Sequence, residues 1–254
     1  MTLVSPVAAT PGLPTYYAIK VLGYSVDHRP IRDHRMGSPG SGIKAVVLGQ
    51  MHGDEHAGVI VADTMLLGRP VKDVDLWVIP SMNPDGNAVH TRQNAHHVNL
   101  NRNWPDHWVP QGGIFYSGPA PLSEPETKAV YAFLNSVKPT LLVSIHQPLN
   151  GVDTTDGGSR NPAFAARLAH NLHLPLKPFN CWSVCRGTMT GWITDYQSGS
   201  ADTVEFPANP SAAELTQVAP GGILAALGGS YDTAAAHNPI AGSAIVTQGS
   251  SVSL

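Results

Sequence analysis

Short apolar runs alternate with segments of helical periodicity along most of the chain, which predicts a sheet flanked by helices on both faces. "YYAIKVLGYS" and "KAVVLG" have the length and β-branched content of strands. A helix is expected over about residues 55–67, closed by Gly68 and Pro70. "VDLWVIP" is a further strand, ending in "NPDG", whose residues favour a tight turn. The stretch from Asn87 to about Pro121 is long, polar and without period, and loops of that kind are usually functional. "SEPETKAVYAFLNSVKP" predicts a helix opened by a Ser123/Glu126 capping box and stopped by Pro139. "TLLVSIHQP" is a strand, "NPAFAARLAHNLHL" a helix, and "ADTVEFP" a last short strand. The expected architecture is a three-layer α/β/α domain with a mixed, mostly parallel sheet. A single catalytic domain over residues 1–236 and a Gly/Ser-rich, flexible tail over 237–254 are expected.

Composition narrows the function. With 254 residues, 42% hydrophobic and 13% charged, the chain suits one domain with a sizeable core. A formal net charge of −3 gives no electrostatic case for nucleic acid or an anionic membrane. No apolar run reaches the length of a membrane span. The opening residues lack a basic segment followed by an apolar one, so a cytoplasmic location is expected. Cys181 and Cys185 make no disulfide framework; their spacing would clip a loop or offer two thiolates, and ordinary packing is expected.

The chemistry is concentrated at predicted strand ends. His52 and Glu55 follow "VVL", His146 ends "TLLVSI", and Glu205 lies in "DTVEFP". In open α/β sheets, ligands bind beyond the carboxyl ends of strands, where these four would meet. A catalytic zinc ion takes three protein ligands and keeps one position open for water. His52, Glu55 and His146 supply two imidazoles and one carboxylate, and Glu205 is then a spare carboxylate able to take a proton from water. Each residue alone is as well explained by hydrogen bonding at a strand end.

The segment "NPDGNAVHTRQNAHHVNLNRNWP", residues 83–105, changes the balance. With His52 to Gly53–Glu55 before it, His146 and Glu205 after it, the order of elements resembles the M14 zinc carboxypeptidases. That resemblance implies one Zn2+ per chain on His52, Glu55 and His146, with Glu205 as general base and acid. It places Arg92 at the oxyanion of the tetrahedral intermediate, and Asn101 and Arg102 on the terminal carboxylate of the substrate. A guanidinium fork suits both tasks. In the family pattern D-L-N-R-N, Asn99 here replaces the aspartate. A less basic His52 and weaker zinc retention are expected from that change. Tyr196 lies near the position of a mobile family tyrosine, but no role is carried over to it.

"SGPAPLSEPETKAV", "SIHQPLNGVD" and "GTMTGW" resemble the bacterial murein peptide amidases within that family. The implied partner is a small peptide with a free C-terminal carboxylate, the murein tripeptide ending in γ-D-Glu–diaminopimelate. Asp153, Asp156 and Thr188 are candidates for meeting the extra charges of diaminopimelate, or equally turn residues. Three alternatives stay open: a metallocarboxypeptidase acting on other peptides, a deacylase of the aspartoacylase or succinylglutamate desuccinylase type, and a non-catalytic binding protein. Retention of Glu205 argues against the last.

Overall fold

The computed structural model describes residues 18–155, 161–180 and 184–233. Four apolar strands form its centre: β3 (Lys44–Leu48), β5 (Asp75–Ile79), β6 (Leu141–His146) and β9 (Ser200–Pro207). They run parallel, in the order β5-β3-β6-β9. Such strands are covered on both faces, which is why β3, β5 and β6 are mostly apolar instead of alternating, while β9 mixes in Asp202 and Glu205. A hairpin of β1 (Ala18–Tyr24) and β2 (Pro30–Gly37) extends the sheet antiparallel beside β5. On the other side β7 (Leu149–Asp153) pairs antiparallel with β9 and parallel with β8 (Leu176–Lys177). Short β4 (Val71–Lys72) and β10 (Ser230–Tyr231) make a separate two-stranded sheet.

Side-chain alternation along β3 sorts the core into two layers. Ala45 and Val47 face a cluster with Val61 and Met65 of α1 (Ala57–Leu67), Phe164 and Leu168 of α4 (Pro162–Leu172), and Ile223 of α6 (Ala219–Ala226). Val46 and Leu48 face the opposite cluster, with Val130 and Leu134 of α3 (Pro125–Val137) and Trp192 and Ile193 of α5 (Met189–Tyr196). The three-layer expectation holds. Among the described residues no helix is long and apolar enough to cross a membrane. The tail over 237–254 lies outside the described residues.

Several local expectations change. "NPDG" opens a short helix, α2 (Pro84–Val89), because Asn83 caps it by accepting the Gly86 N–H at 2.9 Å. The Ser123/Glu126 box does not form. Glu124 is the N-cap residue, the Ser123 hydroxyl donates to its carboxylate at 2.7 Å, and Glu126 turns inward to accept from Asn94 and the Val26 N–H. Tertiary partners outcompete the local cap there. Strand β2 went unforeseen because it is polar; Arg35 forks onto the Asp75 carboxylate with two 2.8 Å bonds and covers Trp77.

One buried acid weakens the fold at neutral pH. Asp202 on β9 is fully buried, and among the described residues neither of its carboxylate oxygens has a hydrogen-bond partner. Burial first, and the Asp153 carboxylate second, raise its pKa from 3.8 to about 8. The folded chain thus holds a proton that the unfolded chain releases at the ordinary value. Stability from this group is full below the unfolded pKa and is lost as pH rises through the folded one. Asp202→Asn keeps the shape and removes the titration. It is expected to flatten denaturant-measured stability over that window and to raise it, by on the order of 1–3 kcal/mol, at the alkaline end. An unchanged pH profile would contradict this account.

Candidate metal and active site

The loop leaving β3 is fixed from below. Gln50 donates through Nε2 to the Gly53 and Glu55 carbonyls at 3.3 and 3.1 Å, while its Oε1 accepts from the Ser81 hydroxyl at 2.8 Å. Asn83 adds a bond from Nδ2 to the Met51 carbonyl at 3.1 Å. Gly53 lies directly on the α2 backbone, where any Cβ would overlap Gly86 and Asn87. The Glu55 N–H closes a turn on the His52 carbonyl at 3.1 Å, which brings both side chains to one side. Gln147 then accepts the Ala57 N–H at 2.9 Å, tying the start of α1 to the end of β6.

His146 is the last residue of β6, and Glu205 is its register partner on β9. Three side chains therefore converge: His52, Glu55 and His146 present donor atoms within 4.8 Å of one another, all buried. His52 Nδ1 lies 2.9 Å from Glu55 Oε1, His146 Nδ1 2.9 Å from Glu55 Oε2, and the two Nδ1 atoms 3.2 Å apart. Behind the rings, His52 Nε2 meets Asn99 Oδ1 at 3.1 Å and His146 Nε2 meets the Ser144 hydroxyl at 2.9 Å.

The hydrogen-bond network assigns the protons. Asn99 donates its Nδ2 to the Ile114 carbonyl at 3.0 Å, so its Oδ1 must be the atom facing His52. His52 Nε2 then carries the hydrogen, and in the neutral ring Nδ1 holds a lone pair. Burial pushes His52 down to about 4 in spite of Glu55, so that ring is neutral at physiological pH. A lone pair and a carboxylate buried face to face call for a cation between them. This donor set fits a zinc ion, with supporting acceptors placed as such sites need. An aspartate at 99 would give His52 a charged acceptor, but would lose the donor that holds Ile114.

Glu205 sits beside this group. Its Oε2 accepts the Leu149 N–H at 3.1 Å, and burial raises its pKa against the opposing pull of His146. Burial by itself would raise Glu55 too, but at the acid pH where it could take a proton the attraction and hydrogen bonds of His52 and His146 hold it well below the usual carboxylate range.

Arg92 is brought to the same place, donating Nη1 to Glu55 Oε1 at 2.7 Å, while its buried Nε has no partner among the described residues. Arg102 is buried, with Nη1 on the Asn101 carbonyl at 2.6 Å and its guanidinium over Phe115. The Asn101 side-chain oxygen accepts the Met189 N–H at 3.1 Å at the start of α5. Tyr196 is exposed at the far end of α5, against His107 and outside the His52 group. Asp153 Oδ1 accepts from the Thr155 N–H and hydroxyl and from the Phe179 N–H, and Thr188 caps α5. Asp156 lies outside the described residues. Cys185 is disulfide-bonded instead of simply packed; Cys181 lies outside the described residues.

Comparison with known proteins places this geometry. A family model described as zinc carboxypeptidase (peptidase M14) matches residues 8–150. The chain belongs to the M14 zinc carboxypeptidase family. As its relatives indicate, this family member is a peptide hydrolase. It is 30% identical to murein peptide amidase A of Vibrio campbellii over 220 residues, 80% of this chain and 82% of the relative. With murein peptide amidase A of Escherichia coli K12 it shares 28% identity over 176 residues, 64% of this chain and 70% of the relative. The crystal structure of murein-tripeptide amidase from Escherichia coli O157 superposes with a TM-score of 0.69 at 25% identity, covering 89% of this chain and 98% of the other. Carboxypeptidase A of Helicoverpa armigera shares the fold, with a TM-score of 0.68 at 15% identity over 84% of this chain and 68% of the other.

The supporting residues Gln50, Asn83, Ser144 and Gln147 escaped the sequence reading. Only Asn83 carries a signal in the sequence, since it opens "NPDG", whose residues favour a turn and equally a helix start.

Proposed function

We propose that this hydrolase is a zinc-dependent amidase that removes the terminal diaminopimelate from γ-D-Glu–diaminopimelate murein peptides. The observation that carries the chemical part is the convergence of His52, Glu55 and His146 with Glu205 one strand away. A zinc ion held by the first three would polarise the scissile carbonyl and acidify a water molecule. Glu205 takes the proton of the attacking water at its carboxylate and delivers it to the leaving amine; the Leu149 N–H fixes one of its oxygens meanwhile. Arg92, with its unpartnered Nε, aims positive charge at the oxygen that becomes negative in the transition state. Arg102 and Asn101 hold the carboxylate of the released residue. Asn99 keeps the His52 imidazole in the tautomer that leaves Nδ1 free, and the Ser144 hydroxyl lies where it can accept from His146 Nε2.

The substrate part is supported by the murein amidases among the relatives, which align over most of the chain. It is tested by incubating zinc-loaded protein with L-Ala-γ-D-Glu-meso-diaminopimelate beside ordinary α-linked peptides and identifying the amino acid released. Free diaminopimelate, formed faster than any product of the α-linked peptides, is the expected result. Preference for ordinary C-terminal residues would instead make the protein a general metallocarboxypeptidase. Hydrolysis of acyl-amino acids without cleavage of either peptide would make it a deacylase.

A further inference from the structure

A second group of metal-ligating side chains lies apart from His52, Glu55 and His146. Asp106, His107 and Asp195 bring one imidazole nitrogen and two carboxylate oxygens within 4.8 Å of one another. His107 Nε2 stands 3.1 Å from Asp195 Oδ2 and 4.0 Å from Asp106 Oδ1. Surface clusters of acids are commonplace, and this one is set apart by Asp106. Its side chain is only 6% exposed. One carboxylate oxygen, Oδ2, accepts the Thr188 hydroxyl at 3.3 Å, whereas Oδ1 is buried and has no hydrogen-bond partner among the described residues. A buried carboxylate oxygen with no donor is costly and rare in folded proteins. Burial and the neighbouring Asp195 both disfavour the charged form of Asp106, and His107 offsets only part of this. The group carries more negative charge than its one imidazole can balance.

We propose that Asp106, His107 and Asp195 form a second divalent-cation site, suited to zinc or a similar borderline transition ion, with water completing the coordination. One imidazole with two carboxylates is a donor set such ions accept, and the orphaned Asp106 oxygen gains the partner it lacks.

The position of the site gives it a structural task. The loop that carries Arg102 is already joined to the start of α5. Asn101 accepts the Met189 N–H, the Gly187 N–H donates to the Asp106 carbonyl at 2.6 Å, and the Trp104 N–H donates to the Gly187 carbonyl at 3.0 Å. Gly191 allows this approach, since a Cβ there would collide with the Asp106 carboxylate. Asp195 lies near the other end of α5. An ion bridging it to Asp106 and His107 fastens the helix to the Arg102 loop at both ends.

The test is a zinc titration of the metal-free chain by equilibrium dialysis with elemental analysis, on wild type, His107→Ala and Asp195→Asn. Both altered side chains are substantially exposed, at 57% and 42%, so neither substitution threatens the core. Wild type is expected to bind one zinc per chain more than either variant, and zinc is expected to slow amide exchange in α5 of wild type alone. The reading is a difference, so it stands whether or not the His52 group takes zinc. Equal stoichiometry in all three proteins, or zinc-induced protection of α5 that survives in both variants, would overturn the proposal.

Discussion

Glu205→Gln is expected to keep its zinc and lose about 10²- to 10⁴-fold in turnover, the range that positioned proton transfer contributes. The argument rests on what the substitution preserves. Glutamine has the same length, and its amide oxygen still accepts the Leu149 N–H that now holds Glu205 Oε2. Glu205 makes no hydrogen bond to His52, Glu55 or His146, so the three proposed ligands keep their mutual contacts. Burial already disfavours the Glu205 carboxylate, so a neutral amide does not weaken the fold. What disappears is a group that accepts a proton and returns it. The measurement pairs kcat on the cleaved peptide with zinc content on the same preparation. Activity near that of wild type at equal zinc content would remove Glu205 from the mechanism. Loss of zinc together with activity would make it a ligand in place of a base.

The sheet and the site differ in how far they could be read in advance. Buried parallel strands announce themselves because both faces need apolar side chains, as "KAVVL" and "LLVSIH" do. Strand β2 hid because its polarity is satisfied only by a partner 40 residues away, Arg35 on Asp75. Helix α5 hid because its boundary signal, Thr188, does double duty on Asp106. The proposed ligands were visible because they sit at the ends of legible strands. Their supports were not: Gln50, Asn83 and Ser144 are ordinary polar residues whose partners exist only once the chain is folded. Asp153 shows how one residue type fits two tasks: of its two readings, specificity residue or turn residue, the Oδ1 bonds to Thr155 favour the turn. Residue type points to chemistry only after local hydrogen-bond demands have been met.

His146→Ala is the variant that separates holding the ion from using it. Removing this ring leaves His52 Nδ1 and Glu55, a two-ligand remnant that a tetrahedral ion occupies poorly. Glu55 does not become an orphan, because Arg92 still donates to it at 2.7 Å. His52 likewise stays anchored on Asn99. The loop is therefore expected to survive, and the loss to fall on metal affinity. A ligand that binds only the folded state stabilises it by about 4 kcal/mol at a thousandfold excess over its Kd. One equivalent of zinc is thus expected to raise the Tm of wild type and of Glu205→Gln clearly more than that of His146→Ala, in which only the proposed Asp106 group could still take the ion. Ser144→Ala, which removes only the hydroxyl behind His146 Nε2, is expected to fall between them, with zinc affinity down about 10-fold. A zinc-induced rise in His146→Ala equal to that of wild type would mean that the ion sits elsewhere. The proximity of the two imidazoles and Glu55 would then be a buried hydrogen-bond cluster without a metal.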